Sequence, residues 1–381
     1  MKKLFTFLGV ILVMAGSAIR AQEVYSSAPL QTSASATDAT LEDGEDWIPS
    51  ISLDSRFGYD RVVGGDAAGF GGDGFYLYID GKLSKHFSYS LCQRLFSAHG
   101  EDDSVFDNTD WLTLSYHLGD FTFTAGKDSM LIGSFEFDAD DIDSYFDLNS
   151  MFYNSLSTYQ WGASAMWTNN AETTSLAFQV ATSPFSWEPG EDNLYSYNLA
   201  WYGAWDMYES KWSVNFMEYA PGEYMKMLAL GNMFYVGDFS FMLDYMVRMA
   251  NWKDALDSDY TLLFQPSYKY NNMLRVFAKV GVEKMVDSVP YDLSGEYLTP
   301  DERIEANLEN KYVMPAYITA GREYLFYGAG VEYFPLKDDR LRIHAMWTSN
   351  NYTKRHLFNV GLTWNLNLTK AIKSLSGKAR K

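Results

Sequence analysis

The 381-residue chain carries 30 basic and 49 acidic side chains, a formal charge of −19, yet 17% of it is aromatic and 47% hydrophobic. That charge has the wrong sign for a nucleic-acid ligand, whose phosphates demand cations, and 11 Trp, 28 Tyr and 25 Phe are too many for an acidic disordered chain. A single cysteine, Cys92, excludes an intrachain disulfide framework and any multi-cysteine metal centre, while a slightly negative mean hydropathy excludes a bundle of membrane-spanning helices.

Residues 1–21 open with Lys2 and Lys3, run through an apolar stretch and end in small residues around Gly16, Ser17, Ala18 and Ala21. They read as a secretory signal peptide. Residues 22–48 are rich in Ser, Thr and Ala, which predicts a flexible exported leader. From residue 49 to 368 every second side chain is apolar or aromatic, a period of two that predicts strands. About 16 such runs occur, near 49–59, 73–83, 86–96, 109–118, 120–127, 158–167, 173–182, 194–205, 211–219, 224–236, 238–248, 259–270, 273–284, 324–334, 340–348 and 356–368. Each is close to the length of a tilted membrane-spanning strand. Residues 369–381, with Lys370, Lys373, Lys378, Arg380 and Lys381, are expected to form a basic, solvated tail.

The links alternate in length. Short ones lie near 83–86, 118–121, 168–172, 206–210, 236–238, 271–272 and 335–339, and longer ones at 60–72, 97–108, 128–157, 183–193, 249–258 and 285–323. Short and long links therefore gather at opposite ends of an up-and-down barrel, as periplasmic turns and extracellular loops do in the outer membrane. A barrel of that size is too wide for side chains to fill, so its polar rows line water and its apolar rows meet lipid. Aromatics near strand ends, including Tyr59, Tyr89, Trp205, Trp212, Trp347 and Trp364, suit interfacial girdles.

An inward basic set is expected at Arg56, Lys82, Arg94, Lys127, Arg248, Arg275, Lys279 and Arg342, against inward acids Asp54, Asp80, Asp244 and Glu283. Opposed charges across a water-filled constriction set up a transverse field that filters polar solutes. None of the five histidines, His86, His99, His117, His344 and His356, sits in a recognisable nucleophile motif. The glycine-rich residues 64–74 lack the ending of a phosphate loop and read as a link. No catalysis, cofactor or metal is expected.

With its signal peptide, its ladder of amphipathic strands and the passage Phe121-Thr-Phe-Thr-Ala-Gly-Lys127 followed by a long loop, the chain resembles Gram-negative outer-membrane porins, most of all the phosphate-selective porin O/P-like family. The resemblance implies passive diffusion of small hydrophilic or charged solutes, contacts with outer-membrane lipid and lipopolysaccharide, a homotrimer, and a loop folded into the lumen, here residues 128–157. That loop carries Glu136, Asp138, Asp140, Asp141, Asp143 and Asp147 among aromatics, which predicts aromatics on the wall and acids towards the pore. Two features depart from the family: signs are mixed on the inward rows, which argues against phosphate selectivity, and the chain continues past its last strand. A plugged barrel serving as a surface receptor or adhesion anchor through residues 285–323 is one alternative, and a secreted soluble β protein whose aromatics bind carbohydrate is a second.

Overall fold

Strands form wherever apolar and polar side chains alternate, because the pleat sends successive residues to opposite faces. The structure, a computed structural model, describes residues 48–63, 68–95, 104–138, 149–150, 152–153, 156–186, 193–249, 259–284, 323–351, 354 and 356–372. Among them the first eight strands are β1 (Ser50–Val63), β2 (Ala68–Lys82), β3 (Phe87–Arg94), β4 (Thr109–Leu118), β5 (Phe121–Ser129), β6 (Tyr159–Thr168), β7 (Thr174–Thr182) and β8 (Tyr195–Trp205). The second eight are β9 (Tyr208–Ala220), β10 (Glu223–Val236), β11 (Phe239–Met249), β12 (Asp259–Tyr270), β13 (Leu274–Lys284), β14 (Glu323–Tyr333), β15 (Leu341–Asn350) and β16 (His356–Asn367). Each pairs antiparallel with its neighbour in sequence, and β16 returns to β1, closing a 16-stranded barrel.

The outward rows carry large exposed apolar side chains, with Phe178, Leu199 and Val360 about half exposed. Water would penalise such a band; lipid accommodates it, and the closed ladder leaves no backbone edge unsatisfied inside the bilayer. Near the short-turn ends of β8–β11 the band becomes a continuous aromatic belt. Trp201 meets Trp212 at 4.9 Å, Trp205 stacks on Tyr208 at 5.8 Å, and Phe234 bridges Tyr208 and Phe241 at 5.0 and 4.8 Å. Asn232, a polar residue on this outward face, accepts from Tyr208 Oη at 2.6 Å and Trp212 Nε1 at 3.3 Å.

Tight turns close one end of the barrel. Between β12 and β13, Asn271 and Asn272 hold φ of 49° and 52°, the left-handed pair that a hairpin's twist favours and that asparagine tolerates. The opposite end holds the long links, but not uniformly. Residues 60–72, expected as a long link, are mostly strand: Tyr59 pairs with Phe70, their rings 5.0 Å apart, and Gly69, Gly71 and Gly72 continue the ladder past a bulge at Arg56/Phe57. Glycine had suggested a loop, whereas here it serves a bulged edge where β1 and β2 extend. Pro221 and Gly222 alone join β9 to β10 at that same end.

The seam is pinned below its last register pair. Thr369 Oγ1 accepts from Ile51 N at 2.9 Å and donates to Pro49 O at 2.8 Å, while Asn367 Oδ1 caps the helical turn 368–372 through Lys370 N at 2.8 Å. The expected tail therefore begins inside the barrel's closure. Residues 373–381 and the signal and leader residues 1–47 lie outside the described residues.

Candidate functional site

After β5 the chain turns inward and lies on the inner face of β7–β13. Two glycines permit the approach. A Cβ on Gly133 would stand 2.3 Å from Ser213 N, and one on Gly231 would stand 3.0 Å from Gly133 O. Gly133 N instead donates to Ser213 Oγ at 2.8 Å. On one flank Gln179 accepts from Leu131 N at 3.1 Å and donates to Ser129 O at 2.9 Å, and Asn215 donates to Leu131 O at 2.9 Å.

The other flank is held by ions. Asp244 Oδ2 accepts from Ser134 Oγ at 2.6 Å and Glu136 N at 3.0 Å. Glu136 accepts from Ser150 N and Oγ at 2.9 and 2.8 Å and pairs with Lys279 Nζ at 3.2 Å, and that ammonium also reaches Asn149 Oδ1 at 3.0 Å. Lys211 pairs with Asp138. Glu283 accepts from Phe152 N at 3.2 Å and Thr261 Oγ1 at 2.9 Å, and Arg248 donates to that hydroxyl at 2.9 Å with its guanidinium 4.3 Å from the Phe152 ring. Burial of these charges is tolerable because each finds a partner on the facing element.

Beneath the segment the wall is apolar. Met130, Ile132, Phe152 and Leu156 pack on Met217, Met225, Met227, Met246, Leu263 and Phe326 in one buried cluster. Sequence periodicity missed this patch, although β10 held the signal: Met225, Met227 and Ala229 alternate with Leu228 and Leu230, so both faces of that strand are apolar.

Away from the segment, β15, β16, β1 and β2 present polar rows. Arg342, Thr363 and Arg56 share one register row, and His344, Gly361 and Gly58 the next. His344 Nε2 lies 2.5 Å from Asn359 Oδ1, and Asn359 Nδ2 donates to Asp60 Oδ1 at 2.6 Å. Asn365 donates to Asp54, Ser90 Oγ donates to Asp80 at 2.6 Å, and Lys82 lies exposed at the short-turn end.

Eleven of the twelve charges expected inward occupy inward register rows. Lys127 does not: it sits on the outward row with Leu112 and Trp161, and its Nζ donates to Phe106 O at 2.6 Å. Its parity matches that of Phe121 and Phe123; its charge alone had suggested the lumen. Three of the inward cations bond to acids: Arg94 to Asp110 at 2.7 Å, Arg275 to Glu332, and Lys279 to Glu136. Glu136, expected towards the pore, is turned into the wall because Lys279 needs a counter-charge there. Asp140, Asp141, Asp143 and Asp147 lie outside the described residues. Asp60, Asp110, Lys211 and Glu332 join the inward charges: strand parity places Lys211 and Glu332 inward, whereas Asp60 falls in the expected link and Asp110 at a bulge.

This geometry defines a transmembrane barrel of the porin fold, and solved structures agree. A substituted variant of the Rh. blastica porin superposes with a TM-score of 0.51 at 12% identity, covering 84% of this chain and 100% of that one. A loop-deletion variant of OmpT, an outer membrane protein of Vibrio cholerae, gives 0.53 at 10% identity over 84% of this chain and 99% of its own. A further porin structure gives 0.53 at 12% identity, covering 84% and 100%. No family model and no curated relative matches the chain. The likeness is to the general porin barrel; nothing among these findings points to the phosphate-selective O/P-like family.

Proposed function

We propose that the protein is an outer-membrane porin, exported with a cleaved signal peptide, through which small hydrophilic or charged solutes diffuse down their gradients. The observation that carries this reading is the segment after β5 bonded to the inner wall through Asp244, Glu136–Lys279 and Lys211–Asp138, opposite rows that hold Arg56 and Arg342. Solutes pass between segment and wall, excluded by size and sorted by the charges they meet. No enzymatic step is proposed. Phosphate selectivity is no part of this reading, because the inward faces carry Asp54, Asp244 and Glu283 as well as Arg56 and Arg342.

Planar-bilayer recording of the detergent-folded chain tests it. Stable steps of large conductance are the expected result; silence from folded, heat-modifiable protein would overturn the channel and leave a plugged receptor or anchor. Replacing Arg56 and Arg342 with Gln is expected to move the reversal potential across a salt gradient towards cation preference, because two positive charges leave one row. An unchanged potential would remove those residues from the conducting path. Assembly as a homotrimer in contact with lipopolysaccharide accompanies this reading, and native mass spectrometry from mild detergent reads both.

A further inference from the structure

The apolar bed beneath the segment is sorted by residue type. The chain holds 17 methionines, and on β9–β11 every inward apolar aliphatic side chain larger than alanine is one of them: Met217 on β9, Met225, Met227 and Met233 on β10, Met242 and Met246 on β11. The outward rows of the same strands take their aliphatic bulk from Val214, Leu228, Leu230, Leu243 and Val247, with Met249 the one methionine among them. Apolar packing alone has no need of such sorting, because Leu and Met fill similar volumes and Leu263, Phe277 and Phe326 complete the same cluster from β12–β14. What methionine adds is a thioether sulfur.

Strand register gathers these sulfurs. Met225 stands directly opposite Met217, and Met227 is the next inward residue of β10. Directly opposed side chains have Cβ atoms about 5 Å apart, and same-face neighbours on one strand are about 7 Å apart, spans that flexible methionine side chains close. Met233 opposes Met242 in the same way, and Met246 lies diagonal to Met227. Met217, Met225 and Met246 are fully buried, and Met130 arrives from the segment in the same cluster. Met233 is partly exposed, which gives the bed a way in from the lumen. Arg248, opposite Met227, is engaged by Thr261 Oγ1 and the Phe152 ring. Among the described residues no group of three or more His, Cys, Asp or Glu side chains gathers as a metal site; the donors of the bed are of another kind, neutral and soft. Such donors suit a soft cation of low charge, copper(I) or silver(I), and offer little to zinc, calcium or magnesium, which call for nitrogen, thiolate or oxygen.

We propose that Met217, Met225 and Met227 form a thioether site for a soft monovalent cation of the copper(I) and silver(I) class. The site goes beyond the channel reading and is tested apart from conduction. The background for the test is the detergent-folded full chain carrying Cys92→Ser, which removes the competing thiol and keeps a donor towards Asp110. Silver nitrate titrated into it calorimetrically, in chloride-free buffer, is expected to give a saturable heat that zinc nitrate does not. Adding Met217→Leu with Met225→Leu keeps the apolar volume and is expected to raise the half-saturation concentration at least tenfold. Met207→Leu, in the exposed turn between β8 and β9, leaves it unchanged. Heat-modifiable mobility on gels certifies that the Leu pair folds; if it does not, X-ray absorption at the silver edge on the Cys92→Ser chain decides, with a first shell of sulfur alone expected. Absence of heat in the Cys92→Ser chain, an unchanged half-saturation in the folded Leu pair, or a first shell of nitrogen or oxygen overturns the site whether or not the barrel conducts.

Discussion

Lys279 shows how much depends on one side chain inside the barrel. It is buried and shares its ammonium between Glu136 and Asn149. Replacing it with Met leaves Glu136 buried beside no cation, a change expected to cost about 3–5 kcal/mol. Denaturant unfolding followed by tryptophan fluorescence measures it, and the further change Glu136→Gln should recover part of the loss; a single variant as stable as the parent would contradict the assigned role. Position along the chain made most such residues legible, because strand parity fixes a face. It did not reveal partners: Arg94 and Asp110 lie 16 residues apart, Lys279 and Glu136 143 apart. At Lys127 charge and parity point to opposite faces, and parity, shared with Phe121 and Phe123, prevails.

All sixteen strands were readable, most with ends within about three residues, since a two-residue period survives wherever one face meets lipid and the other water. Where both faces are apolar the period vanishes, as in β10, and the methionine bed there reads as lipid-facing from either side. Glycine misled in the opposite direction, marking a link at 60–72 where β1 and β2 continue. At Gly133 the missing side chain has a definite use, letting two backbones touch. Gly133→Val is expected to lift the segment from the wall and raise single-channel conductance, with noisier open levels. Conductance identical to the parent's would show that the segment does not narrow the path.

At the level of the molecule, the apolar band and the closed ladder determine each other, because a lipid-exposed edge would strand unpaired backbone groups. Val360→Arg, in the middle of β16 and pointing outward, is expected to cost about 2–4 kcal/mol of stability if its row lies near the bilayer midplane. Thr363→Arg on the inward row should cost less, although that row already holds Arg56 and Arg342. Comparing urea midpoints in bilayer vesicles separates the two, and equal losses would contradict the assignment of faces.

The closure at Thr369 also sets an order of events in time. Every pairing from β1–β2 to β15–β16 joins neighbours in sequence, yet Ile51 and Thr369 stand 318 positions apart. Hairpins can collect in any sequence, but the seam can form only after the last strand exists, and the chain entropy of bringing such distant ends together is lost in that one step. A chain stopped short of β16 keeps two open strand edges, each a template for a second molecule. Truncation of the nascent chain before β16 is therefore expected to yield aggregation, read by light scattering on refolding, rather than a slightly smaller barrel.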